Sequence, residues 1–273
     1  MAEQAAAPGT WDEDPSGVSI LLATGRARHD LLVIADPALL GGLDSAWGRP
    51  SARVRLSFLP GVCAPVAPGQ EDALVSYERD GLSVLVARGR TSPIEGKSAR
   101  TTTALARIVG AAGVRAALLV ARASSLGAAA PADLLAVGDH INLSCAPLFP
   151  ADGIVSAAWD EALTARLARL RGVRGMGVVA LTPGPMLPTP AEARVLAGMG
   201  ADAAVTDTVA EGMTLAAAGV PTAALAVIDE VLAEPAAQPS GRRAAPASAS
   251  RLQRPAATVV RDAIEAVLGG LRA

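Results

Sequence analysis

Residues Val178 to Thr208 constrain the fold more than any other stretch. Val178-Val179-Ala180-Leu181 is an uncharged run with strand character, and a Gly184-Pro185 turn follows it. Thr189-Pro190-Ala191-Glu192 then has the marks of a helix start: a hydroxyl at the N-cap, proline in the first turn and glutamate three residues on. Gly198-Met199-Gly200 stops the helix, and Ala203-Ala204-Val205 is a second apolar run that ends at Thr206-Asp207-Thr208. Strand, loop, helix and strand make one βαβ unit. Its polar loops fall at the carboxyl ends of the strands, where open α/β sheets bind ligands.

The rest of the chain repeats this alternation. Val18-Ser19-Ile20-Leu21-Leu22-Ala23 reads as a first strand running into Thr24-Gly25, a turn that would set a hydroxyl and N–H groups near an anion, or act as a plain βα turn. Gly25-Arg26-Ala27 lacks the second glycine of a dinucleotide fingerprint. Val54 to Leu59 reads as a second strand. The β-rich runs Ala73–Glu78 and Leu82–Ala87 flank Arg79-Asp80-Gly81, which predicts a hairpin. A helix ending at Gly113 precedes Ala116–Ala121, an uncharged run typical of a central parallel strand. Leu134–Val137 leads to Asp139-His140-Ile141-Asn142, and residues 155–171 have helical spacing with Trp159 directed to the core. A helix through Met213 precedes the strand Thr222–Ile228, which ends at Asp229-Glu230. The pattern predicts an α/β protein: a single domain over 17–271, with a mixed, largely parallel central sheet, an inserted β-hairpin and helices on both faces. Residues 1–16 read as a flexible tail and 233–255 as a low-complexity linker before a last helix at about 256–271.

Composition removes several classes of function. The formal net charge is −2 and no basic stripe is present, so no nucleic-acid partner is expected. Two cysteines and two histidines are too few for a disulfide scaffold or a zinc centre. No apolar run reaches the ~18 residues of a membrane span. The acidic first residues lack a secretory signal's basic and apolar regions, so a cytoplasmic location is expected. Aromatic residues are only 2% of the chain, so its core must be built from small aliphatic side chains.

Four segments, in order, resemble the trimeric purine nucleoside phosphorylase and methylthioadenosine phosphorylase family. They are Gly89-Arg90 with Glu95-Gly96; Asp133-Leu134 with Asp139-His140-Ile141-Asn142-Leu143; Gly184-Pro185 with Thr189-Pro190-Ala191-Glu192; and Gly200-Ala201-Asp202-Ala203 with Thr208-Val209-Ala210-Glu211. The resemblance covers roughly residues 17–230. It implies a nucleoside phosphorylase-like fold, a small-molecule nucleoside or purine-like ligand, and a homotrimer or a mixed trimer with a paralogous subunit. The family reaction is phosphorolysis of purine nucleosides to base and ribose 1-phosphate, with no cofactor and inorganic phosphate as co-substrate.

By position, the resemblance assigns ligand contacts to Thr24 (first-loop hydroxyl), Arg90 (phosphate arginine), Ser92 (in the place of a histidine) and Glu95. It also assigns Ala123 in a shortened loop, Leu187 for the stacking aromatic, and Thr206 and Asp207 for a Met-Ser pair. Asp229 and Glu230 replace the Thr-Asn that ends the last site strand and are the candidate catalytic residues. Pro188 stands where the family's purine-reading glutamate would be, and Ile94 where a sugar-side tyrosine would be. His140 reads as scaffold. The frame-bearing residues match and the chemistry-bearing ones depart, which implies lost or strongly altered activity. A carboxylate at Asp207 would repel a phosphate charge ~4 Å away by ~4 kcal/mol at an effective dielectric of 20. The alternatives are an active phosphorylase of unusual base specificity, using Asp229 and Glu230, and a phosphate-independent N-glycoside hydrolase using Glu95, Asp207 or Glu230 to activate water.

Overall fold

The computed structural model describes residues 13–144, 154–182, 184–232 and 249–272. Among the described residues nine strands form one sheet: β1 (Leu31–Ile34), β2 (Ala52–Val54), β3 (Leu74–Arg79), β4 (Leu82–Ala87), β5 (Ala116–Ser125), β6 (Leu134–Asn142), β7 (Val173–Leu181), β8 (Ala203–Val205) and β9 (Thr222–Val231). Their order is β2-β3-β4-β1-β5-β8-β7-β6-β9, and β5 also pairs with β9. Strands β5, β8, β7, β6 and β9 therefore close on themselves, while β2, β3, β4 and β1 extend as an open wing. The pairs β1–β4, β1–β5, β5–β9, β6–β7 and β7–β8 are parallel; β2–β3, β3–β4, β5–β8 and β6–β9 are antiparallel.

The sheet separates two apolar layers. On one side Leu32, Ile34, Leu85, Leu119 and Ile228 pack with residues of α1 (Val18–Thr24), α4 (Ala104–Ala111) and α7 (Thr208–Ala217). On the other, Leu31, Val33, Val86, Leu118 and Leu225 meet Leu167 of α5 (Glu161–Ala168) and Val260, Ile264 and Val267 of α8 (Ala249–Arg272). The short helices α2 (Leu43–Trp47) and α3 (Ala99–Thr102) join the wing, and α6 (Pro190–Gly198) follows β7. The α/β class, the single domain and the mixed sheet are as the sequence predicts. The hairpin is present, with Leu74 opposite Ala87 and Arg79 opposite Leu82.

The structure corrects the amino-terminal reading. Val18–Thr24 is a helix, not the first strand. Its buried residues Ser19, Ile20 and Ala23 lie on one helical face, and Asp14 accepts hydrogen bonds from the Val18 and Ser19 amides at 3.1 and 2.6 Å, satisfying free N–H groups of the first turn. Asp14 is thus a buried cap within the stretch expected to be tail; residues 1–12 lie outside the described residues. The first strand is the fully buried Leu31–Ile34, too short and uniform to show a period. Of the second expected strand, Val54–Leu59, only Val54 lies in a strand, at the end of Ala52–Val54, and Leu56–Phe58 is a 3-10 turn. Helix α5 begins at Glu161 with Asp160 as its cap, so Trp159 precedes it. Helix α8 starts at Ala249, inside the expected linker, of which residues 233–248 lie outside the described residues.

Candidate functional site

The carboxyl ends of β1, β4, β5 and β9 and the start of α7 bring together an ionic cluster centred on Arg90. Gly89 sets its approach. With φ at 143°, this glycine lies so close to the 71-peptide that a β-carbon would sit 2.5 Å from the Glu71 carbonyl oxygen. The Arg90 guanidinium is buried and bonded on both ends. Nη1 donates to Asp207 Oδ1 at 2.7 Å and to Thr208 Oγ1 at 2.9 Å. Nη2 donates to the Ile34 and Val120 carbonyls at 3.1 and 2.9 Å. Nε faces Glu211 Oε1 at 3.6 Å, too long for a hydrogen bond. Burial lowers the basicity of Arg90, but the charges of Asp207, Glu211 and Asp36 outweigh it and raise the pKa.

Two acids therefore share this arginine and take opposite protonation behaviour. Burial pushes the Asp207 carboxyl up, yet the Arg90 charge and hydrogen bonds from Arg90 and Thr208 hold it below its ordinary value. For Glu211 burial dominates: with less from Arg90 and repulsion from Asp207 and Asp36, its pKa rises to about 7. Glu211 Oε2 and Arg90 Nε are buried without a hydrogen-bond partner.

A second layer surrounds the first. Gln70 Oε1 accepts from the Arg90 amide at 3.1 Å while its Nε2 donates to Asp36 Oδ1 at 2.8 Å. Arg122 bridges two strand ends, donating to Asp36 Oδ2 at 2.9 Å and Asp229 Oδ1 at 2.6 Å. Asp229 is the extra residue of a β-bulge: Ala123 pairs with Ile228 and Ser124 with Glu230, so Asp229 is turned out of the ladder toward Arg122. Ser124 Oγ donates to Glu230 Oε1 at 3.3 Å. Burial raises the Asp229 pKa, and the Arg122 charge offsets only part of that. Four carboxyls (Asp36, Asp207, Glu211 and Asp229) thus face two guanidiniums, with Glu230 next to Asp229, so the centre is acid-rich.

The expected site residues divide into three groups. Arg90, Ser92, Asp207, Asp229 and Glu230 meet in or beside this cluster, with Ser92 Oγ donating to Asp207 Oδ2 at 3.3 Å. Thr206 and Leu187 lie on the loops beyond it. Gly184 packs against Ile94, so that a β-carbon there would be 2.6 Å from an Ile94 methyl and 3.6 Å from the Thr206 methyl. Past this contact, Leu187 borders a cavity of about 620 Å³, lined mainly by apolar residues including Leu143, Met186, Pro188, Val195 and Leu196. None of the residues of the Arg90 and Arg122 cluster lines it.

Thr24, Glu95 and Ala123 lie outside this cluster. Thr24 ends α1, where its hydroxyl donates to the Ile20 carbonyl at 2.7 Å and accepts from the Arg26 amide. Arg26 pairs with Glu78 beside the hairpin turn, which places Thr24 by the amino ends of β1 and β4, opposite the Arg90 end. The loop that does follow the first strand is Ala35-Asp36-Pro37, so an acid stands where the resemblance implies a hydroxyl. Glu95 Oε1 accepts from the Val66 and Ala67 amides at 3.2 Å and ties down that loop. Ala123 is buried in the apolar layer. Asp36 and Gln70 carry no motif that marks them as site residues; the sequence signal for Asp36 is its position just after the apolar run Leu31–Ile34.

Comparison with known proteins shows the family and the fold. A profile of the phosphorylase superfamily matches residues 62–265. The purine nucleoside phosphorylase of Mycobacterium leprae is 32% identical over 215 residues, 77% of this chain and 79% of that protein. The chain belongs to the purine nucleoside phosphorylase family. The Mycobacterium tuberculosis purine nucleoside phosphorylase is 30% identical over 240 residues, covering 84% and 88% of the two chains. A schistosoma purine nucleoside phosphorylase solved in complex with hypoxanthine shares the fold, with a TM-score of 0.73 at 19% identity over 93% of this chain and 95% of that one. Among the described residues no helix is long and apolar enough to cross a membrane, and no three His, Cys, Asp or Glu side chains are grouped to hold a metal ion.

Proposed function

We propose that this chain is a phosphorylase-family protein that binds a nucleoside or purine-like ligand but has lost phosphate-dependent cleavage. One observation carries the reading: both terminal nitrogens of Arg90 are committed to Asp207, Thr208 and two main-chain carbonyls, and the remaining Nε faces Glu211. An arginine that is to clamp phosphate needs free donors in a fork. Pro188 supports the same reading, because its side chain has no group to accept purine N–H bonds. The ligand class rests on family membership, with relatives solved in complex with hypoxanthine and inosine. A trimer, with itself or with a paralogous subunit that restores activity, belongs to the proposal. The purified chain is expected to release no base from inosine, guanosine, adenosine or methylthioadenosine when phosphate is added; phosphate-dependent release would overturn the reading.

Phosphate-independent hydrolysis is a second reading, in which Glu230 is the favoured base. Glu95 is held by two amides and Asp207 by Arg90, whereas Glu230 has only the 3.3 Å contact from Ser124 and is partly exposed. Base release in phosphate-free buffer that disappears in Glu230→Gln supports this reading; no release from the wild type removes it.

A further inference from the structure

Around Asp207 the fold has built a receptor for an oxyanion. Four donors converge on one carboxylate: Arg90 Nη1 at 2.7 Å, the Thr208 amide at 2.8 Å, Thr208 Oγ1 at 3.0 Å and Ser92 Oγ at 3.3 Å. They come from the segment after β4 and from the N-terminus of the ten-residue helix α7. A guanidinium, two hydroxyls and a helix-start amide are the donor types that hold phosphate or sulfate. The Arg90 Nε, the one guanidinium donor without a hydrogen bond, faces Glu211 Oε1 at 3.6 Å and takes no part in this cradle.

We propose that this cradle is an oxyanion site occupied by the protein's own Asp207, and that Asp207 is the specificity-determining residue that shuts out phosphate and other free oxyanions. The inference rests on the reading that phosphate-dependent cleavage is lost, and it assigns that loss to one side chain. A carboxylate carried on the chain competes at a high effective concentration and loses no translational freedom on seating. A free dianion would have to displace it and then sit beside Glu211 and Asp36. The ligand of the intact protein is therefore one without a free oxyanion at this position.

Sulfate and inorganic phosphate, titrated against chloride at constant ionic strength, test the assignment by calorimetry and by the melting temperature of the full chain. Asp207→Ser empties the cradle and keeps a hydroxyl; Asp207→Asn removes the charge but fills the same volume. The wild type and Asp207→Asn are expected to show no saturable response, and Asp207→Ser to bind both anions at least about tenfold more tightly. If Asp207→Ser does not melt cooperatively in chloride, sulfate restores the transition. No gain and no restoration in Asp207→Ser, or an equal gain in Asp207→Asn, overturns the assignment. Phosphate-dependent base release by the wild type would instead remove the reading beneath it, whereas an inert wild type with an unresponsive Asp207→Ser removes this inference alone.

Discussion

Arg90 and Asp207 lie 117 positions apart in the chain and meet at 2.7 Å, Nη1 to Oδ1, in a site from which both side chains are largely withdrawn from solvent. The pair joins the end of the open wing to the start of α7. A buried pair of this kind draws its value from the cost of leaving either member alone rather than from net attraction. Replacing Arg90 with methionine strands Asp207 among its remaining donors and is expected to cost about 3–5 kcal/mol in urea unfolding. Arg90→Lys should recover little, because one ammonium cannot reach Asp207, Ile34 and Val120 together. A loss under about 1 kcal/mol would contradict the geometry.

Glu211 makes stability fall with rising pH. Its folded pKa, about 7, lies above its ordinary value of 4.5, so the native state holds the extra proton between those limits. Stability due to this group is intact below about pH 4.5, declines as pH rises and is lost above about pH 7, by on the order of 3 kcal/mol. His29 acts the other way: burial takes its pKa from 6.5 to about 4, so stability rises with pH across that range. The difference between wild type and Glu211→Gln isolates the carboxyl. The variant should gain on the wild type from pH 5 to 8; parallel pH curves would exclude this role for Glu211.

Gly89→Ala should disturb the cluster without touching a charge. The added carbon meets main-chain atoms, 2.5 Å from the Glu71 oxygen, and the backbone has a φ that other residues rarely adopt. A cost of about 2–4 kcal/mol is expected from strain and overpacking together. Thermal unfolding measures it, and Gly25→Ala, with open space around its site, is the control for positive φ alone.

Thr189→Ala tests a feature read directly from sequence. The Thr189 hydroxyl accepts from the Glu192 amide while the Glu192 carboxylate accepts from the Thr189 amide, a reciprocal capping box. Losing the hydroxyl should cost about 1 kcal/mol and raise amide exchange in α6 selectively. Uniformly raised exchange across the domain would argue against a local cap.

Local rules carried most of the fold. The Asp80-Gly81 hairpin, the uncharged β5 and the capped α6 were legible because turn chemistry and periodicity act between near neighbours. Those rules failed at Val18–Thr24, where the decisive cap comes from Asp14, and at the four-residue β1, which is too short for its buried pattern to have a period. Family-like segments marked Arg90 and Glu95 alike, yet one is the centre of the cluster and the other a loop tie.

The sequence by itself determined the α/β class, the hairpin, the start of α6 and the family frame, since each depends on residues close together in the chain or on ordered motifs. Only the tertiary structure decided what the site's charges do. Asp36, Gln70, Arg90, Arg122, Asp207, Glu211 and Asp229 are scattered along the chain and converge at strand ends, and a buried charge takes its protonation and its function from the partners that burial forces on it.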